Sequence, residues 1–152
     1  MHRPATSALE VVRKTWSSIV GAGGLDSRIL SKLRVVEACH HKGTVLCELT
    51  VEDYHLNRLQ GLHGGTICTL VDIGGSLAVA AKANNTYTGV STDISVSFLN
   101  GGKIGDKLQI HSTCNKKGKT LAYTTVEVKA GDKLLATGSH TKYVGGTPKV
   151  ET

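Results

Sequence analysis

The chain is short of proline and of aromatic residues. Its two prolines, Pro4 and Pro148, stand near the ends, and one Trp, one Phe and four Tyr are its only aromatic rings. A core must therefore be built from Val, Leu, Ile and Ala. The four cysteines, Cys39, Cys47, Cys68 and Cys114, include no CxxC pair, which argues against a zinc site or a redox dithiol. They read as reduced core thiols of an intracellular protein. HExxH is absent, and so are the GxSxG elbow, the GxGxxG fingerprint and the spaced glycines of a Walker loop. These absences weigh against metalloprotease, α/β-hydrolase and dinucleotide-binding chemistry. No metal and no cofactor is expected. Basic residues never run five together and are not interleaved with aromatics, so nucleic acid is not expected as a partner. No uninterrupted apolar run of membrane-spanning length is evident, and the N-terminus lacks the apolar core of a secretory signal.

What the chain does have is room for one domain in 152 residues. Eighteen Lys and Arg against twelve Asp and Glu leave a net charge of +6. That surface suits a polyanion such as an anionic membrane or a phosphorylated ligand, and it equally suits a merely soluble basic protein. The first twenty residues carry several basic groups and one acid, Glu10. They fit a mitochondrial targeting helix or, by preference, an ordinary amphipathic helix, so a mitochondrial or cytoplasmic location is expected.

Along the chain, Leu9, Val12, Trp16, Ile19 and Val20 recur at helical spacing over residues 7–20, with Ser7 and Glu10 as a capping box. Residues 25–30 suggest a short helical turn. Residues 31–39 and 44–51 read as paired strands around the turn His40-His41-Lys42-Gly43, and 52–65 as a loop. Residues 66–82 are apolar on most faces and too long for a strand, which predicts a buried helix. Gly74-Gly75 within it suggests that a neighbouring backbone comes close. Strands are predicted over 87–99, 107–115, 120–129 and 133–144. The order gives an α+β fold, an antiparallel sheet wrapped around a central helix. The expected organisation is an N-terminal helical segment over 1–30, the main domain over 31–145 and a loose tail over 146–152.

Four features bear on chemistry. His63-Gly64-Gly65 enters the apolar helix, where glycine admits a ligand to the backbone and unpaired N–H groups gather. It is either an oxyanion site or a plain loop-to-helix junction. Asp72, set among apolar neighbours, is either a general base or nucleophile or a structurally bonded residue. Asn57 has an amide able to polarise a carbonyl, although most such residues only shape a loop. Lys116-Lys117-Gly118-Lys119-Thr120 could hold phosphates or be a solvated hairpin turn.

Taken together, Asn57-x5-His63-Gly64-Gly65-x6-Asp72 resembles the signature of hotdog-fold acyl-CoA thioesterases, nearest the thioesterase superfamily member 2 group. Gly89-Val90-Ser91-Thr92-Asp93, the run Lys116 to Ala122, and Gly138-Ser139-His140-Thr141-Lys142 match as well. The resemblance spans about Leu33 to Val144. It implies a hotdog fold whose active sites lie between two subunits, with pairs of dimers forming tetramers. The implied reaction is hydrolysis of medium- or long-chain fatty acyl-CoA to fatty acid and CoA. A non-catalytic acyl-CoA or lipid-binding module is the alternative. By the same resemblance Gly64 and Asn57 would polarise the thioester carbonyl, Asp72 and Ser91 would activate and orient water, and His63 would position the thioester. Asp93, Phe98, Lys103, Lys116, Lys117, Gly118, Lys119, Thr120, Leu121 and Tyr143 would contact the CoA portion, and CoA enters only as part of the substrate. Where the family has a proline-containing turn after the long strand, this chain has Asn100-Gly101-Gly102.

Overall fold

In the computed structural model, which describes residues 6–146, every element expected from the sequence is present and in order. They are α1 (Ala8–Gly21), α2 (Leu25–Ile29), β1 (Arg34–Cys39), β2 (Thr44–Thr50), α3 (Gly64–Ala83), β3 (Val90–Phe98), β4 (Lys107–Lys117), β5 (Leu121–Ala130) and β6 (Lys133–Tyr143). A 3-10 turn at Asp53–His55 interrupts the loop before α3. The C-terminal tail lies outside the described residues from 147 onward.

The six strands form one antiparallel sheet in the order β1-β2-β4-β5-β6-β3. Alternate residues of β2, β4 and β5 face α3, among them Val45, Cys47, Leu49, Leu108, Ile110, Val126 and Val128, all buried. The opposite face carries Lys107, Gln109, Thr125 and Glu127, the half-in, half-out alternation of a sheet covered on one side. With so few rings available, the core is aliphatic, as composition required. The one tryptophan, Trp16 on α1, is buried there and donates its indole N–H to the Leu33 carbonyl at 3.1 Å. The Ser7–Glu10 capping box is formed: Glu10 N–H donates to Ser7 Oγ at 3.2 Å, and Ser7 N–H donates to Glu10 Oε2 at 2.8 Å.

By length and composition α3 is apolar enough to cross a membrane, which the sequence reading did not recognise, yet 78% of that stretch is buried inside the protein. The sheet and α1 supply the apolar surroundings a bilayer would otherwise give. Gly74 and Gly75 face the sheet, as their size suggests, but side chains rather than backbone come close. A Cβ on Gly74 would collide with the Ser112 hydroxyl, and one on Gly75 would lie 2.5 Å from Thr124 Oγ1 and 2.8 Å from His140 Nδ1.

Boundaries moved for local reasons. β1 starts at Arg34 because a turn closed by Leu33 N–H and the Leu30 carbonyl occupies residues 30–33. β3 starts at Val90, after Gly89 at φ +71°. Lys116 and Lys117 belong to β4 rather than to the turn. Asn84, in the left-handed region at φ 52°, ends α3. β1 and β3 are the two edge strands among the described residues; β3 pairs there with β6 alone and, unlike β1, is exposed along almost its whole length.

Candidate active site

The N-terminus of α3 is prepared for an anion by its own cap. His63 is the N-cap, and its Nδ1 accepts from Gly65 N–H at 2.7 Å. Nδ1 therefore carries no proton, and the proton of a neutral ring sits on Nε2 as a free donor. Thr66 and Ile67 N–H both reach the His63 carbonyl. Gly64 N–H, at the first helical position, has no acceptor among the described residues. It points out where the positive end of the helix dipole is strongest. A Cβ on Gly64 would already press on Phe98 at 3.3 Å, so the bare glycine keeps this donor open between helix and ring. Just upstream, a tight loop closed by the Leu56–Leu62 bridge holds Asn57. Its Oδ1 accepts from Leu59 N–H at 2.9 Å and Gly61 N–H at 3.2 Å. With the oxygen engaged, the Asn57 NH₂ is left to donate.

Two turns along α3 the chemistry changes. Asp72 is half-exposed, its side chain at 40%. Around it stand residues of β3 and β6. The fully buried His140 places Nδ1 3.1 Å from the Asp72 carbonyl oxygen and Nε2 2.8 Å from Ser91 Oγ, with Asp72 Oδ1 at 3.7 Å. One helical turn on, Ser76 accepts from the buried ammonium of Lys142 at 2.7 Å. Burial lowers the His140 pKa below its ordinary value, and the Lys142 charge lowers it further. Asp72, the hydrogen bond to its backbone, and Asp93 act the other way. Burial also lowers the Lys142 pKa, opposed by Asp72. On α2, Asp26 has a raised pKa, from burial first and the Asp72 charge second.

Asp72 and Ser91 are thus brought together, through His140. Asn57, His63 and Gly64 are gathered two turns earlier, at the start of the same helix. Gly64 and Asp72 are eight residues apart on one helix, about 12 Å along its axis at the α-helical rise, so one chain does not bring both to a single carbonyl. His140 and Lys142 were read only as part of a matching run. The signal in the sequence was a pair of basic residues at period two in an otherwise small and apolar strand.

The residues expected at CoA are divided: Asp93, Lys116, Leu121 and Tyr143 lie on the outer face of the sheet, and the others do not. Residues directly opposite one another share a face. Lys117, Ala122, Lys142 and Ser91 form one cross-strand row on the helix side, and Lys116, Tyr123, Thr141 and Asp93 form the next row on the outer side. Leu121, Tyr143 and Val90 make the last row. Bulges at residues 92 and 115 set this division: without the first, Ser91 and Asp93 would face the same way. The turn Gly118-Lys119-Thr120 closes the rim, with Gly118 N–H on the Leu121 carbonyl and the Thr120 carbonyl on Val144 N–H. Phe98 sits at the far end of β3 against Gly64, and Lys103 follows Gly102, whose carbonyl accepts from Leu62 N–H; neither is with this group.

Residues 59–137 match the sequence profile of the Thioesterase superfamily. Human acyl-coenzyme A thioesterase 13 is 36% identical over 92% of this chain and 99% of its own. Thioesterase superfamily member 2 of zebra fish superposes with a TM-score of 0.81 at 37% identity, covering 92% of this chain and 99% of the other. A Streptococcus mutans protein bound to acetyl CoA superposes with a TM-score of 0.67 at 28% identity, over 74% and 89% of the two chains. With the sheet order, the wrapped helix and these relatives in agreement, the chain is a hotdog-fold enzyme belonging to the thioesterase superfamily.

Proposed function

We propose that this protein hydrolyses medium- or long-chain fatty acyl-CoA to fatty acid and CoA at a site shared by two copies of the chain. The observation that carries the reading is the separation of donor and acid along α3. Thioester hydrolysis needs charge stabilised at the carbonyl oxygen and an activated water beside the carbonyl carbon. One copy holds these two turns apart on one helix, the donor at its start and the acid in its middle.

The free edge of β3 supports the solution. Its unpaired N–H and C=O groups and its exposed Val90, Ile94 and Phe98 invite a second strand. Antiparallel pairing with its own copy about Ile94 sets the Ser91 end of one strand against the Phe98 end of the other. Phe98 adjoins Gly64, and Ser91 adjoins Asp72 through His140. The pairing therefore carries the Gly64 donor of one subunit toward the partner subunit's Asp72. It also carries Phe98 and Lys103 toward the two outer rows that hold Asp93, Lys116 and Tyr143. Such dimers pair further into tetramers in this reading.

Each group then has one task. Gly64 N–H and the Asn57 NH₂ bind the thioester oxygen, and their hydrogen bonds strengthen as charge builds there. Asp72 takes a proton from water, which attacks the carbonyl carbon, while Ser91 orients that water. As the carbon–sulfur bond breaks, the His63 Nε2–H donates to the departing sulfur. The lysines at the sheet rim hold the phosphates. Exposed Leu59, Leu99 and Ile104 near the α3 mouth suit an apolar acyl chain. Release of free thiol from acyl-CoAs of graded length, by wild type and Asp72→Asn, tests the reading. Turnover rising with chain length and lost in Asp72→Asn is expected. Tight binding without turnover by the wild type would instead make the protein a carrier.

A further inference from the structure

Lys142 has no task in the mechanism above, yet it is costly to keep. Its ammonium lies in a residue only 4% exposed, with one hydrogen bond, to Ser76. An apolar residue of similar size would usually be no less stable there. Its place is therefore worth relating to what it neighbours, and two residues away on the same face of β6 is His140.

The hydrogen bonds of His140 fix a direction. A carbonyl oxygen only accepts, so His140 Nδ1 carries the proton that reaches the Asp72 carbonyl. In a neutral ring Nε2 is then an acceptor, and the hydroxyl at 2.8 Å, that of Ser91, donates to it. Ser91 is left with only lone pairs toward the solvent. A water lying between Ser91 and Asp72 must turn one proton to each, which leaves its own lone pair free to attack. A doubly protonated ring reverses this order. Nε2 becomes a donor, the Ser91 hydroxyl turns outward, and it donates into the lone pair that has to reach the carbonyl carbon. The charge of one buried ring thus decides whether water is held as a nucleophile or blocked.

The charged groups around that ring are Lys142 on its own strand, Asp72 on α3 and Asp93 on β3. β5 contributes only Thr124, whose hydroxyl donates to the His140 carbonyl at 2.7 Å. Two carboxylates favour the protonated ring, and the one cation opposes them. We propose that Lys142 is a positioning residue for hydrolysis: its buried ammonium keeps His140 in the neutral Nδ1–H form, which holds Ser91 as an acceptor toward the attacking water. Ser76 keeps the ammonium in place, one turn from Asp72. This inference rests on the reading of Asp72 and Ser91 given above.

The experiment is the pH dependence of kcat in wild type, Lys142→Gln, Lys142→Met and Lys142→Arg, beside NMR titration of the His140 ring in the same proteins. Lys142→Gln keeps a donor for Ser76 and removes the charge. In wild type the ring should titrate below 6.5, its ordinary value, and kcat should fall on the acid side at the same pH. In Lys142→Gln and Lys142→Met both should move up together by on the order of one pH unit, with KM nearly unchanged, while Lys142→Arg should restore the wild-type limb. A limb and a ring titration that stay put in the neutral variants would overturn the inference. So would a wild-type ring titrating at or above its ordinary value, a measurement that stands even if the variants do not fold. Asp72→Asn and Ser91→Ala are run in parallel. Full turnover in both would sink the site reading itself, whereas loss in both with an unmoved limb in Lys142→Gln would sink only the role of Lys142.

Discussion

The start and the middle of α3 solve opposite problems. At its start, Gly64 exposes a backbone donor by having no side chain, next to a histidine that consumes the neighbouring N–H. Little is buried there, and the chemistry comes from what the backbone leaves unpaired. In its middle, Asp72 and Ser76 face a fully buried histidine and a buried lysine. There the chemistry comes from charges removed from water, where each is felt more strongly. The difference teaches that the donor end can be assembled by a short loop, but the acid end needs a sheet behind it. It also explains why one helix serves two sites: each stretch is completed by a different neighbour.

The largest effect that would break this comparison is genetic complementation. Gly64→Pro removes the donor at a helical position where proline is tolerated, and Asp72→Asn removes the acid. Each variant alone should lose about 10²-fold or more in kcat. Mixed one to one and allowed to exchange subunits, they should recover about a quarter of wild-type turnover, because half the dimers are mixed and each has one intact site. No recovery despite demonstrated exchange would mean that donor and acid act within one chain. Next, Ile94→Lys places a charge at the centre of the free β3 edge. Native mass should fall to that of a monomer and turnover should fall with it; an active monomer would refute a shared site. Gly75→Ala pushes a methyl group toward Thr124 and His140 and should destabilise the fold by about 1–3 kcal/mol in denaturant titration. Ser7→Ala, at the exposed cap of α1, should cost only about 1 kcal/mol through the lost cap and leave kcat alone.

A pH test sharpens the acid end. Because His140 is held below its ordinary value of 6.5, the unfolded chain takes up a proton that the folded one refuses. The stability this gives is present above 6.5 and is lost as pH falls toward the lower folded value. Melting temperatures between pH 8 and 5 should therefore drop more steeply for wild type than for His140→Asn.

Much of this was legible from residues alone. The helical period of α1, its cap, the apolar length of α3 and the turns between strands gave the elements, and the spacing from Asn57 to Asp72 pointed to the site. Three things were not legible. Strand ends depended on Gly89 and on the turn at residues 30–33, which act through backbone angles rather than polarity. The inward direction of His140 and Lys142 depended on how β6 registers with β5. The split of Ser91 from Asp93 depended on a bulge, which a period-two reading passes over.

That bulge has a further consequence. It shifts the alternation of β3 by one residue, so that Ser91 faces the helix beside Lys142 while Asp93 faces the outer surface beside Thr141, and Ile94, Val96 and Phe98 return to the helix side opposite His140, Gly138 and Ala136. Substitutions at Ser91 and at Asp93 are therefore decoupled: the head-group surface can drift without disturbing the water-orienting serine. Deleting Thr92 would turn the bulge into regular ladder, with Ser91 still opposite Lys142 and Asp93 still opposite Thr141, on opposite faces. The register with β6, rather than the residue type at position 92, holds the two side chains apart.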